Sequence, residues 1–287
     1  MLTFLALVKQ HLDFSSNRID RSAIKAIYIA PMKALCQEVV SKFSARLKPL
    51  HLKVREFTGD MQLTRQEIID SQLIVTTPEK WDVVTRKGGD GSLASLVSLI
   101  IIDEVHLLAD DRGAVIETIV ARTQRQIEQS QRFVRIIGLS ATLPNYKDVA
   151  DFLRVNKRRG LFYFGPEFRP VPLDQTFIGV VEKQRVKRTE HMNRKTYEKM
   201  IAALEKEKQV MIFVHSRKET SKTMEAMRDL CAKGGKSYLF ENIDHDKYTV
   251  WKRSVDKSRS LEVQQLFSQV FVYYILYIIN MKIHTKY

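Results

Sequence analysis

The sequence has 287 residues, of which 44% are hydrophobic and 28% are charged, with 11 glycines and 7 prolines. This is the composition of a globular protein with about two domains, and no long low-complexity linker is present. Two cysteines far apart in the chain, Cys36 and Cys231, argue against a disulfide framework or a thiolate metal site. The net charge of +14 favours anionic partners, of which nucleic acid is the commonest, although a solvated lysine-rich surface carries the same charge.

Neither end of the sequence predicts a secretion signal or a membrane anchor. Residues 1–12 have apolar side chains at helical spacing but no basic start and no small-residue cleavage site, so they predict a packed helix. The apolar run Val270–Ile279 is much shorter than the about 20 residues that span a bilayer as a helix. A buried strand and an aggregation-prone segment both remain open for this run.

Between these ends, short apolar runs alternate with longer helical patterns, which predicts an α/β fold. The first apolar run is followed by a helical stretch from Lys33 to Leu47, and the later runs are also followed by helical segments. Such strands separated by helices predict a mainly parallel sheet with helices on both faces. The predicted strands are residues 26–30, 54–57, 73–76, 99–102 and 136–139.

Glycines and prolines in residues 160–172 predict a domain boundary. A second alternation follows, with an extended run over 175–181, a helix over about 194–207, a strand over 210–214 and a helix over 218–231. We therefore predict a first domain over residues 1–165, an incomplete second α/β domain over 166–268 and an atypical apolar tail over 269–287.

Two acidic residues, Asp103 and Glu104, follow the most apolar predicted strand. Acids at the carboxyl end of a parallel strand face the ligand crevice. A nucleoside-triphosphate hydrolase needs one carboxylate there to hold Mg²⁺ and a base to orient or deprotonate the attacking water. Asp103 suits the first role and Glu104 the second. A solvated strand end would contain the same two acids, so this pair alone leaves both interpretations open.

The other predicted strands end in residues that suit contacts with phosphate. Ser140 and Thr142 put small hydroxyls at the same sheet edge, where they could bond the carboxylates or, alternatively, cap the helix predicted over 145–153. The remaining strand ends are loop-to-helix junctions whose backbone N–H groups could receive the phosphates of a nucleic-acid strand. Ordinary helix starts give the same local pattern.

Six motifs in order resemble those of the superfamily 2 DExH-box helicases. The likeness is to the branch of large dual-cassette enzymes that includes the signal-cointegrator and Brr-type spliceosomal helicases, and it covers about residues 1–268. The motifs are Ala30–Leu35, Thr58–Asp60, Thr77–Asp82, Asp103–His106, Ser140–Thr142 and Phe213–Arg217.

The resemblance implies two RecA-like domains that bind ATP and Mg²⁺ and unwind nucleic acid, RNA being favoured over DNA. It implies that Asp103 binds Mg²⁺ through water, that Glu104 activates the attacking water, and that His106 joins the ATP site to Ser140 and Thr142. Family members work in the nucleus or cytosol as subunits of larger multiprotein complexes, away from membranes. The residues implied to grip a single strand of RNA or DNA are Pro31, Lys33, Thr58, Gly59, Asp60, Thr77, Pro78, Glu79, His215, Ser216 and Arg217.

The sequence departs from the family pattern in two places. No Gly-x-x-x-x-Gly-Lys-[Ser/Thr] phosphate loop occurs, although the family has this loop directly before a helix like residues 2–12. Residues 270–287 stand where the family continues into its arginine-bearing motif. We therefore expect a piece of a helicase that does not hydrolyse ATP by itself. A non-catalytic pseudo-helicase that binds nucleic acid or a partner is the alternative.

Overall fold

The computed structural model describes residues 1–59, 63–86, 93–141 and 143–240, together with Lys252, Arg253, Val255, Asp256 and Gln264. The predicted site residues Asp60 and Thr142, the side chain of Arg217 and the predicted tail over 269–287 lie outside this described part. The chain divides into two compact units, Met1–Phe168 and Arg169–Tyr287.

The first unit is built on a five-stranded parallel sheet. Helix α1 (Leu2–Gln10) and a short hairpin of β1 (Leu12–Asp13) and β2 (Arg18–Ile19) precede it. The sheet consists of β3 (Ala26–Ile29), β4 (Val54–Phe57), β5 (Leu73–Thr76), β6 (Leu99–Ile102) and β7 (Arg135–Gly138), in the order β4-β5-β3-β6-β7. The other helices are α2 (Lys33–Leu47), α3 (Arg65–Asp70), α4 (Pro78–Arg86), α5 (Leu93–Leu96), α6 (Gly113–Ser130) and α7 (Tyr146–Phe152).

Helices cover both faces of the sheet because successive strand residues point to opposite sides. On one side Tyr28 belongs to a buried cluster with Phe4 of α1 and with residues of α2. On the other side Ile29 packs in a second cluster with Trp81 of α4 and Ile116 of α6. All four residues of β3, β5 and β6 are buried, which explains why these strands are continuous apolar runs in the sequence. The predicted α/β class and parallel sheet are confirmed.

The carboxyl ends of the strands meet at one edge of the sheet. Ile29 of β3 lies opposite both Thr76 of β5 and Ile102 of β6, and Ile102 lies opposite Gly138 of β7. Residues that leave these strands therefore emerge side by side. This register places the segments that begin at Pro31, Thr77, Asp103 and Ser140 along the same edge.

Gly113 allows α6 to begin directly against the preceding turn, the 3₁₀ helix Val105–Ala109. A Cβ atom at this position would lie 2.1 Å from the carbonyl oxygen of Leu108 and 2.8 Å from its carbonyl carbon. These are backbone atoms, so either the turn or the helix would have to move. Alanine is therefore not tolerated here without a shift of the main chain.

We expect Gly113→Ala to lower the free energy of unfolding by about 1–3 kcal/mol, the usual cost of forcing an extra group into a packed site. Urea denaturation followed by circular dichroism measures the change. Gly179→Ala is the control, because no described atom lies within 4 Å of a Cβ there, and it should change stability by less than about 0.5 kcal/mol. Equal stability of the two variants would contradict the close approach.

The second unit contains α8 (Arg185–Leu204), α9 (Arg217–Lys233) and a 3₁₀ turn over Ser237–Phe240. Met200 and Ile201 of α8 pack with Met227 and Cys231 of α9 in a small buried cluster. Helix α9 agrees closely with the helix predicted over 218–231, whereas α8 begins at Arg185 instead of near 194. None of the helices in the described part of the chain is long and apolar enough to cross a bilayer.

The strand predicted over 210–214 was wrong. Val210 and Ile212 are partly buried against the helical cluster, whereas Met211 and Phe213 are exposed, so the side chains alternate as in a strand. A strand also needs hydrogen-bonding partners for its backbone. The described residues of this unit provide no neighbouring strand, and the segment is irregular.

Candidate functional site

The centre of the candidate site is a turn of four residues, Asp103–His106, which we call the carboxylate turn. Asp103 directly follows β6, and its N–H donates to the carbonyl of Ile29 at 2.9 Å. Its Oδ1 accepts from the N–H of Glu104 at 3.0 Å. Glu104 has a φ of 52°, in the left-handed region, which costs roughly 1–2 kcal/mol for a residue other than glycine.

The hydroxyl of Tyr28 on β3 holds the carboxylate of Asp103. This hydroxyl donates to Oδ2 of Asp103 at 2.6 Å, and the Tyr28 ring packs edge to face on Phe43 at 5.8 Å. Burial and the hydrogen bond to Asp103 raise the pKa of Tyr28 well above its usual range, so the hydroxyl keeps its proton and remains a donor. No local pattern in the sequence marks Tyr28 as a site residue. Its only signal is a hydroxyl in an otherwise apolar strand.

His106 joins the ends of β6 and β7. Its Nδ1 lies 3.4 Å from the N–H of Ala141 and 3.3 Å from Oε2 of Glu104. One ring nitrogen cannot accept a hydrogen bond from the amide and donate one to the carboxylate at the same time. The amide is always a donor, so we assign Nδ1 as its acceptor and take the Glu104 approach as a contact between neighbours. Among the described residues, the amide of Ala141 makes the link to His106, and Ser140 is exposed.

The carboxylate oxygen atoms at the carboxylate turn suit a magnesium ion that is bound through water molecules. Asp103 accepts two hydrogen bonds, and an ionised carboxylate has about four lone-pair positions, so it can accept more from metal-bound water. The described residues contain no cluster of three or more metal-ligating side chains. Mg²⁺ does not require such a cage, because it commonly binds through one or two carboxylates together with substrate phosphates.

The residues of the first unit that are predicted to contact nucleic acid fall into two groups by burial. The first group is buried: the hydroxyl of Thr58, for example, donates to Oε1 of Glu56 at 2.8 Å. The second group is accessible, and within it a Cβ built on Gly59 would lie 3.8 Å from Nζ of Lys33. The loops after β3 and β4 are therefore neighbours. The buried members are Pro31, Thr58, Thr77 and Pro78, and the accessible ones are Lys33, Gly59 and Glu79.

Helix α4, which follows β5, is joined to α6 by an ion pair between the buried carboxylate of Asp82 and the partly exposed Arg122. The carboxylate of Asp82 accepts from Nη2 of Arg86 at 2.6 Å and from Nη1 of Arg122. Burial tends to raise the pKa of Asp82, but the hydrogen bonds from Arg122 and Arg86 outweigh burial and hold this pKa below its usual value. The start of α4 is therefore held in a fixed position relative to α6.

Two further predicted residues lie at the start of α9 in the second unit. His215 and Ser216 are both exposed. Ser216 is the N-cap of α9, and its hydroxyl accepts from the N–H of Glu219 at 3.3 Å. A serine in this position is a common helix cap, and it leaves other N–H groups of the first turn available to an anion.

A family model described as DEAD/DEAH box helicase matches residues 2–150, which is more than half of the chain. The chain belongs to the DEAD/DEAH box helicase family. The membership expected from the six motifs is thereby confirmed, and the matched region includes the carboxylate turn and the strand-end loops of the first unit. Members of this family use ATP.

Several curated helicases are similar to nearly the whole chain. The DExH-box ATP-dependent RNA helicase DExH14 of Arabidopsis thaliana is 51% identical over 94% of the chain. Activating signal cointegrator 1 complex subunit 3 of Gallus gallus is 48% identical over 94%, and the human U5 small nuclear ribonucleoprotein 200 kDa helicase is 48% identical over 93%. The chain spans only 12% of the length of each of these relatives.

Among solved structures, the DUF1998 helicase MrfA bound to DNA and AMPPNP is similar in fold. It has a TM-score of 0.58 and covers 81% of this chain, whereas this chain covers 32% of that one. The sequence identity is 18%, so this likeness supports the fold alone.

Proposed function

We propose that this chain is part of the motor of an ATP-dependent nucleic-acid helicase that acts on RNA. The observation that carries the proposal is the hydrogen bond from the N–H of Ala141 to Nδ1 of His106, which joins the ends of β6 and β7 beside the loops suited to bind nucleic acid. The relatives support it, since one is named as an ATP-dependent RNA helicase and another as a ribonucleoprotein helicase.

In this proposal, the carboxylate turn performs the chemistry of ATP hydrolysis. Glu104 orients and deprotonates the attacking water, while Asp103, held by Tyr28, is the residue that would hold Mg²⁺ through water. The ion supplies positive charge to the phosphates when it is bound. His106 transmits changes at Glu104 to the segment at Ser140, with Thr142 proposed as a further neighbour of ATP on the family motif alone.

The strand-end loops contact the backbone of the nucleic acid in this proposal. Lys33 supplies positive charge beside the exposed backbone of Gly59, and the buried residues at Pro31, Thr58, Thr77 and Pro78 set the path of their loops. Asp60, His215, Ser216 and Arg217 are proposed as further contacts on the family motifs.

The relatives also suggest where the parent protein works. One is named as a subunit of a signal cointegrator complex and another as part of a small nuclear ribonucleoprotein. We therefore propose that this chain acts within a larger multiprotein assembly in the nucleus or cytosol.

The test of strand binding is a salt titration of a fluorescent single-stranded RNA. We expect weak binding whose affinity falls steeply with salt, because each phosphate contact contributes a slope of about −0.7 in a plot of log affinity against log salt. Lys33→Gln should reduce the steepness of this slope by about 0.7.

Lys53→Gln is the matched control for this titration. It removes the same charge at the opposite end of β4, where the side chain of Lys53 makes an exposed pair with Asp70 at 3.2 Å. This variant should leave the slope nearly unchanged. Binding that does not depend on salt, or an equal reduction of the salt slope in the two variants, would contradict the proposed path of the RNA along these loops.

A further inference from the structure

Arg112 connects two loops at the edge of the sheet that is proposed to bind nucleic acid. Its Nη1 donates to the carbonyl oxygen of Pro31, in the loop after β3. Its Nε lies 3.6 Å from Oε1 of Glu79, in the first turn of α4 after β5. The two contacts use different nitrogens of one guanidinium group, which is planar and presents its donors in a fixed fork. The position of one loop is therefore tied to that of the other.

The main chain of Arg112 is itself firmly placed. Arg112 is the N-cap residue of α6, and the next residue is Gly113, which packs directly on the turn that follows Glu104. Further along α6, Arg122 is paired with the buried carboxylate of Asp82 on α4. The backbone that carries the Arg112 guanidinium is thus held by the packing of α6 on the turn that follows Glu104. The guanidinium reaches loops that follow two other strands.

The surroundings of Arg112 suit positioning better than direct binding of phosphate. The carboxylate of Glu79 already offsets its charge, and a carboxylate beside the guanidinium repels an approaching phosphate. The side chains of Arg112 and Glu79 are about half exposed, at 49% and 50%, so the ion pair alone is weak. The hydrogen bond to the buried Pro31 is what fixes its geometry.

We infer that Arg112 is a positioning residue that sets the spacing between the loops at Pro31 and Glu79, so that both can contact one nucleic-acid strand together. The side chain of Glu79 serves this brace and does not bind the strand. This inference rests on the proposed strand-binding function of the two loops.

The test uses the whole chain and compares Arg112→Lys with Arg112→Gln in the RNA salt titration. Lysine keeps the charge but cannot make both contacts in the same geometry, because it offers a single ammonium in place of the two separate nitrogens of the fork. A positioning role predicts that both variants lose affinity by about fivefold at low salt and that both keep the wild-type salt slope. A direct phosphate contact predicts instead that lysine retains affinity and that glutamine reduces the slope by about 0.7.

Hydrogen exchange of the backbone amides gives a second readout that needs no RNA. Arg112→Lys should speed exchange about tenfold in the segments Met32–Leu35 and Lys80–Asp82, because a charge-assisted hydrogen bond that held the loops is lost. Arg125→Lys, an exposed arginine on the same helix, is the matched control and should leave both segments unchanged. Equal denaturation midpoints of the variants would show that the fold is intact.

The outcomes separate this inference from the proposed function. Wild-type protein that fails to bind RNA would contradict the proposed function, whereas unchanged exchange in both segments of Arg112→Lys would overturn the brace whatever the RNA result. Faster exchange together with the loss of affinity in both variants supports the inference. Retained affinity in Arg112→Lys overturns it.

Discussion

Replacing Glu104 with glutamine is expected to abolish ATP turnover in a helicase that contains this chain. A suitable enzyme is a chimera in which residues of this chain replace the matching 271 residues of the Arabidopsis relative, to which they are 51% identical. Glutamine keeps the size of Glu104 but cannot accept the proton of the attacking water. Loss of a positioned general base costs about 10² to 10⁴ in rate. Steady-state phosphate release with saturating single-stranded RNA measures this change.

Two controls accompany that experiment. Glu117→Gln makes the same chemical change at an exposed position on α6 and should leave the rate within about twofold. Binding of a fluorescent ATP analogue should be nearly equal in the wild-type and Glu104→Gln chimeras, because the base acts on water and makes no contact needed to hold the nucleotide. A Glu104→Gln chimera that still turns over at a tenth of the wild-type rate or faster would contradict the assignment of Glu104.

A polypeptide of these 287 residues alone is expected to release phosphate no faster than buffer, with or without RNA. Phosphoryl transfer depends almost wholly on positioning and on charge stabilisation. The 287 residues contain no Gly-x-x-x-x-Gly-Lys-[Ser/Thr] sequence, so neither the loop amides nor their lysine is available to the phosphates. Losing a single arginine finger costs about 10³ to 10⁵ in rate, and losing a whole phosphate loop should cost at least as much.

The chimera should hydrolyse ATP and the isolated chain should not, although both retain Asp103 and Glu104. The salt-dependent RNA binding of the isolated chain serves as the control for correct folding. RNA-stimulated phosphate release by the isolated chain, if Glu104→Gln stopped it, would show that the site is complete without that loop.

Local patterns in the sequence predicted the sheet well. Strands β4, β5 and β6 have the predicted bounds, since a strand buried on both faces is a short continuous apolar run with clear limits. Asp103 stood out for the same reason, as an acid directly after such a run. Once the strands were known to be parallel, the order of the motifs placed their ends at one edge.

Contacts between distant residues could not be predicted in this way. Tyr28 and Asp103 are 75 positions apart, and Arg112 and Pro31 are 81 apart, so no local pattern indicates either hydrogen bond. The predicted strand over 210–214 failed for a related reason, because a strand depends on a partner elsewhere in the chain. The early start of α8 was missed since its first residues are exposed and have no apolar periodicity.

The most direct test of the proposed helicase function is strand displacement by the chimera. The substrate is a partial RNA duplex with a fluorescent strand and a single-stranded tail, prepared with the tail at either end. We expect the chimera to release the labelled strand from one of these duplexes only when ATP and Mg²⁺ are present, and we expect Glu104→Gln to prevent the release. A chimera that folds and binds RNA but displaces neither strand, or that displaces a strand equally well with Glu104→Gln, would contradict the proposed function.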